Sequence, residues 1–318
     1  NAPTRVEELW FSDGSLVVRA EQSLFRISGG ILVARSSVFK DMLAFPQPPD
    51  AENIDGCPVV RLPDQAADVT LFFRAIFDSS FFEPFPTKTN LDIIISILHL
   101  SNKYAVDYLQ RRALVHLSSR YPTTMSEYNQ WATSTSLFPR VDDIAHHVAA
   151  IQISREVGAL WILPAAFYQI AARDEEDVQT GLDCVSYNAH SVEFSGSDKL
   201  VFLKSSLQIA RCANQITSFL HSPIHIPGCE GEQSTNARLR AAGKIHEYIT
   251  GFGADADPLF LCKGAGVWTL LHNGCCQACF NFFVDTHEAA RETLWNTLPK
   301  FCGLPPWEEL EKMKAEAL

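Results

Sequence analysis

Short β-prone apolar runs open the chain and then give way to longer stretches with helical spacing. Leu16-Val17-Val18 and Leu24-Phe25-Arg26-Ile27 are separated by polar Glu21 and Gln22, the pattern of a hairpin. Ser28-Gly29-Gly30 ends the second run, with Ser28 placed to cap a following helix. From Ile31 to Leu43 the residues Ile31, Leu32, Val38, Phe39, Met42 and Leu43 recur at helical spacings, which predicts one half-buried amphipathic helix. A Pro-rich acidic loop, Pro46 to Pro58, leads to a third strand, Val59 to Leu62, stopped by Pro63. Asp64 can cap the next helix, which carries Val69, Phe72, Phe73, Ile76 and Phe77 on one unusually aromatic face. Asn90 caps a helix with Leu91, Ile94, Ile95 and Leu98 on one side. After a break at Tyr104 to Asp107, a second helix turns Leu109, Ala113 and Leu117 inward, so the two pack antiparallel.

Beyond Tyr121-Pro122-Thr123 the strand signals fade. Helical periodicity marks Ser126 to Leu137, Val141 to Ala172 in one or two pieces, Asp198 to Leu220, the region of Asn236 to Ile249, Phe280 to Leu298 and Pro306 to Ala317. The polar, acidic stretch Asp174 to Ser197 reads as a loop or irregular hairpin. The expected fold is α+β: a strand-and-helix unit over residues 9–122, then a mainly helical domain over 123–318.

Composition narrows the function more than the fold. The chain has 318 residues, enough for about two domains, with 47% hydrophobic and 20% charged residues. Its 26 Lys and Arg against 37 Asp and Glu give a net charge of −11, an unfavourable average field for a phosphate backbone, so no nucleic-acid partner is expected. No apolar run is long enough to span a bilayer, and no membrane partner is expected. The first residue is Asn1 rather than Met, which suggests a trimmed or incomplete start. Nine cysteines and no Asn-x-Ser/Thr site favour a reducing compartment, cytoplasmic or nuclear, with free thiols or a metal rather than disulfides.

One cluster holds metal-ligand types. Cys276 and Cys279 stand three residues apart, so that both thiolates can reach one tetrahedral ion, and Cys262 and Cys229 lie upstream. This is half of a zinc-knuckle spacing, with His272 and His287 as spare ligands; the bland reading is buried cysteine in a helical core. A thiol-redox pair is the other chemical alternative. His221, His225 and Cys229 have ligand types at a regular interval, but Pro223 and Pro227 break any shared helical face. His146 and His147 are adjacent and point apart on a helix. Gly251-Phe252-Gly253-Ala254-Asp255-Ala256 comes after a helical pattern rather than a strand and reads as a loop. Phosphate loops, His-Glu-x-x-His and Gly-x-Ser-x-Gly are absent, so no enzyme activity and no small-molecule substrate are expected.

The run Phe25 to Phe39 resembles the BTB/POZ signature, a strand carrying Phe before a helix of the type Leu-Ala-Ala-x-Ser-x-x-Phe. The matching positions are Phe25, Leu32, Ala34, Arg35, Ser36 and Phe39. Asp13 to Val18 is similar to the family's opening Asp and first strand, Val59 to Leu62 to its third strand, and Asn102-Lys103-Tyr104 with Leu109 to its late helix pair. Leu298-Pro299 and Phe301 to Trp307 resemble the tail of many fungal members. The resemblance implies a non-enzymatic protein-protein interaction module that homodimerises or docks partners, with cullin-type ubiquitin-ligase adaptors among its members. The expected contact residues are Trp10, Phe11, Asp13, Leu16 and Ser28. Two positions depart from the pattern. Ser28 and Gly29 replace the usual His and basic residue that pairs with the Asp matched by Asp13, and Leu43 to Gln47 lacks the hydrophobic-x-Glu motif of cullin adaptors.

Overall fold

Leu16–Ala20 and Ser23–Ile27 form the expected hairpin, with Leu16 opposite Ile27 and Ala20 opposite Ser23. The structure is a computed structural model that describes residues 2–45, 52–133, 144–173, 185–187, 190–192, 194–221, 226–229, 232–250 and 257–318. The hairpin strands are β2 and β3 of a five-stranded sheet in the order β1-β3-β2-β5-β4. The others are β1 (Thr4–Trp10), β4 (Asn53–Ile54) and β5 (Cys57–Leu62). β1 runs parallel to β3, β5 parallel to β2, and β4 antiparallel to β5. Strand alternation divides the side chains between two faces. Leu16, Val18, Ala20, Phe25 and Ile27 enter the main core. Val17, Leu24 and Cys57 enter a small cluster on the other face, against Trp10, Ile54 and Val59.

Two local expectations change, and one strand was not anticipated. The strand β1 was not legible: only Leu9 of its seven positions is fully buried, and Thr4 to Trp10 carries no apolar alternation. The helix expected over Ile31 to Leu43 is two, α1 (Gly29–Arg35) and α2 (Ser37–Ala44), broken at Ser36. Ser36 has extended backbone; its hydroxyl accepts from Phe39 N at 2.9 Å and donates to the Tyr104 carbonyl, so one side chain caps α2 and ties it to a distant segment. Asp64 does not cap α3 (Ala66–Phe77). It is buried and accepts from Lys103 Nζ and the Tyr104 hydroxyl, while Glu21 Oε2 takes the Ala66 N–H at 3.0 Å.

Asn90 caps α4 (Leu91–Lys103) as expected, its Oδ1 accepting from Ile93 N at 2.8 Å, and α5 (Asp107–Ser118) comes next. Then come α6 (Met125–Thr133), α7 (Ile144–Glu156), α8 (Leu163–Ala171), a short hairpin of β6 (Val185–Tyr187) with β7 (His190–Val192), and α9 (Gly196–Ile216). The chain ends in α10 (Glu232–Thr250), α11 (Leu261–Gly264), α12 (Val267–Gly274), α13 (Gln277–Phe301) and α14 (Trp307–Ala317). The fold is therefore mixed α+β and mainly helical.

The main core does not stop at residue 122. It runs from Leu9 to Leu310 and takes in most of α7 and α8; α8 is apolar nearly all round and so must be covered on every side. Buried indoles tie the late helices to it: Trp295 Nε1 donates to the Thr123 carbonyl at 3.0 Å and Trp307 Nε1 to the Trp295 carbonyl at 2.8 Å. A separate second core joins Phe219, Leu220, Ile226, Ala241, Ile245, Leu261, Cys262, Val267, Leu271, Cys279 and Phe283. That second core holds Cys262 and Cys279, with Cys229 and Cys275 packed against it.

Candidate metal centre

Cys276 is the N-cap of α13 and Cys279 stands three residues on, in its first turn. An N-cap side chain and the side chain three residues later lie over the same helix end, so the Cys-x-x-Cys spacing brings both sulfurs to one point. Cys229 arrives from a different direction, after the turn Ile226-Pro227-Gly228. There Gly228 has φ +83° and Cys229 N donates to the Ile226 carbonyl at 3.1 Å. A left-handed residue at 228 favours glycine, and the turn it permits rests near Ala278, to which a Cβ on Gly228 would come within 4.0 Å. The sulfurs of Cys229, Cys276 and Cys279 all lie within 4.8 Å of one another.

That geometry can be tested against a metal. Four-coordinate zinc with Zn–S of about 2.3 Å sets sulfur–sulfur distances of about 3.8 Å, so the trio needs to contract by at most about 1 Å to close on an ion. Its surroundings act on the thiols in opposite directions. The cluster sits at a helix N-terminus, where the backbone dipole favours negative charge. Ser234, at the start of α10, accepts from Cys276 N through its hydroxyl at 3.2 Å, which fixes the end of α13 against α10. Without a metal, burial pushes the Cys279 thiol up to about 12, and its hydrogen bond with Cys229 adds to the rise. A bound dication reverses that balance, because a coordinating thiol is deprotonated. Three protein thiolates would leave a fourth position; half-buried Cys275, next to Cys276 in sequence, is not one of the trio, and its Sγ donates to the Ser234 carbonyl at 3.8 Å.

Of the four cysteines singled out by sequence, the fold gathers three. Cys262 is not in the trio: it is fully buried on α11, inside the second core, where burial raises its thiol to about 12 with Arg291 and Glu288 as the charged neighbours. The spare histidines also stand outside the trio. The His272 ring packs on Phe280 at 5.2 Å and buried His287 on Trp268 at 4.8 Å. His225, and the loop from Gly251 to Ala256, lie outside the described residues. His146 and His147 point apart, to Asp92 and to the Tyr121 hydroxyl at 3.1 Å. Sequence reasoning missed Gly228 and Ser234, although Pro227-Gly228 is a turn signal directly before Cys229. All described cysteines are free thiols.

At the N-terminus, the expected contact residues differ in exposure. Trp10 is half-buried, with the Arg5 guanidinium stacked over its ring at 4.4 Å, and Phe11 is half-buried against Phe77 at 5.7 Å. Asp13 is exposed. Leu16 is 3% exposed and belongs to the main core, so it offers no contact surface. Ser28 caps α1 by accepting from Ile31 N at 3.4 Å.

No protein-family model, no curated protein and no solved structure matches the chain. Among the described residues no helix is long and apolar enough to cross a membrane.

Proposed function

We propose that the chain is a non-enzymatic protein-interaction module, with a BTB/POZ-like docking unit at its N-terminal end and a structural zinc ion holding the second core. The observation that carries the zinc reading is the convergence of Cys229, Cys276 and Cys279 from two separate segments to within 4.8 Å. A structural zinc contributes folding free energy directly, and this small core closes over only a few helices. Metal analysis of the purified full chain tests it. About one equivalent of bound zinc is expected, and less than about a tenth of an equivalent removes the reading. The same proximity is compatible with thiol-redox chemistry, for which thiol titration that changes with oxidant and is blind to chelator is the signature.

The docking reading is supported by the rim of the sheet. β1 is an edge strand that pairs only with β3 among the described strands, and Arg5, Glu7 and Glu8 on it are exposed. An open edge of this kind is a template for pairing with another chain. A non-catalytic role is consistent with the buried acids, since Asp64, Asp198 and Asp257 each hold structural partners. Sedimentation at micromolar concentration is expected to show a species of twice 35.4 kDa, and a monomer alone overturns self-association through β1. Co-purification of a cullin with the full chain is the outcome that favours the adaptor form of the same reading.

A further inference from the structure

The helix α9 carries two apolar stripes where a surface helix needs one. Phe202, Ile209 and Ile216 face inward and join the main core. On the other side Leu200, Leu203 and Leu207 are 52%, 49% and 63% exposed. Ala210 and Asn214, also exposed, continue the row. The spacing is the alternating four and three of a heptad seam, and at about 100° per residue its centre lies well over 90° from Phe202. Single exposed leucines are ordinary, but a row of them in register along one helix is the form of a contact surface.

Charge selects the occupant. Asp198 is the only acidic residue of α9, and it is buried and held by Arg155 at 3.0 Å. The charged side chains of α9 itself that flank the leucine row are all cationic: exposed Lys204 and Arg211 along one edge, half-buried Lys199 along the other. In a chain of net charge −11 this is a local inversion of sign. We propose that the Leu200-Leu203-Leu207 row is the docking surface for an acidic amphipathic helix of a partner protein, apolar along its seam and bearing Asp or Glu beside it. A second copy of α9 fits poorly. Parallel pairing sets Lys199 against Lys204 of the other helix, and antiparallel pairing sets Lys204 and Arg211 against the same residues of the other copy. An anionic bilayer presents a broad plane to the net-acidic chain, whereas a single helix meets mainly the cationic strip of α9 that lies within a Debye length of it.

The inference rests on the reading of the chain as an interaction module but uses a different element, so it stands or falls separately from β1. The test uses the full chain and a fluorescent three-heptad probe peptide with Leu at its seam and Glu at the flanking positions, beside a matched peptide with Lys there. Fluorescence anisotropy is expected to show binding of the Glu peptide, weakened about tenfold or more by Leu203→Glu with Leu207→Glu. Lys204→Glu with Arg211→Glu, at exposed positions that leave the core untouched, is expected to transfer preference to the Lys peptide. Equal binding of the two peptides, absence of binding at high micromolar concentration, or no transfer on charge reversal overturns the proposal. So does a dimer that the leucine double variant abolishes, which assigns the row to a second copy, or flotation with phosphatidylserine vesicles lost in that variant, which assigns it to a membrane. A monomeric wild-type chain that binds the Glu peptide removes self-association through β1 and leaves this surface standing.

Discussion

The Tyr128 hydroxyl donates to Asp257 Oδ2 at 2.8 Å across 129 residues of sequence. The Tyr168 hydroxyl donates to Oδ1 of the same carboxylate, and Leu259 N adds a third bond at 2.9 Å. Asp257 is buried, so this network both neutralises the cost of the acid and pins the start of the α11 segment to the main core. Burial, with the Asp257 charge, raises the Tyr168 hydroxyl well above its ordinary value, which keeps it a donor.

Removing the acceptor is therefore costly. Asp257→Ala leaves two buried hydroxyls without this partner and is expected to lower stability by about 2–6 kcal/mol, at about 1–3 kcal/mol for each buried group left unsatisfied. Tyr128→Phe removes one bond to a charged group and should cost about 1.5–3 kcal/mol. Urea denaturation of the variants checks both, and an Asp257→Ala chain as stable as wild type contradicts the role assigned to the network.

Gly274 ends α12 against Ala237 of α10. A Cβ placed there meets Ala237 Cβ at 2.6 Å, closer than two such atoms can stand. Gly274→Ala is expected to destabilise the second core by about 1–3 kcal/mol through forced separation of the two helices. Ala237→Gly loses helix propensity of about 1 kcal/mol alone but relieves that clash. The double variant should accordingly be more stable than the sum of the single changes allows; simple additivity in thermal melts argues against the contact.

Metal content separates the thiols. Cys279→Ser is expected to abolish stoichiometric zinc and lower the melting temperature of the second core, and chelation of the wild-type chain should produce the same shift. Cys262→Ala lies outside the trio and should keep its zinc although it opens a small cavity. Loss of zinc in both variants, or in neither, removes the assignment of ligands.

Two histidines are expected to titrate on opposite sides of 6.5. The hydrogen bond of His99 Nδ1 with Glu156 at 2.8 Å raises its value, so its stabilising contribution is present below 6.5 and is lost as pH rises through the higher folded value. Burial lowers His116, whose Nε2–H donates to the Glu83 carbonyl at 2.9 Å. Its contribution is lost in the other direction: as pH falls below 6.5 the unfolded chain takes up the proton first and stability drops. Imidazole NMR titration should place the His99 midpoint above that of His116, and the reverse order contradicts the geometry at both sites.

The sequence alone determined what local chemistry determines. The β2–β3 hairpin arises from two apolar runs around Glu21-Gln22, the Ser28 and Asn90 caps from side chains that accept a nearby N–H, and the α4–α5 pair from helical periodicity broken at Tyr104. Cys276 and Cys279 were legible as a pair because a helix end fixes their separation. Tertiary structure decided the rest, because those outcomes depend on partners far along the chain. Ser36 splits a continuous periodic run by bonding across to Tyr104, and Asp64 forgoes capping for Lys103 and Tyr104. β1 exists because β3 offers it an edge, not because its own residues alternate. Likewise Cys229 joins the thiol trio and Cys262 does not, since a turn at Gly228 aims one at the end of α13 while apolar packing draws the other into the second core.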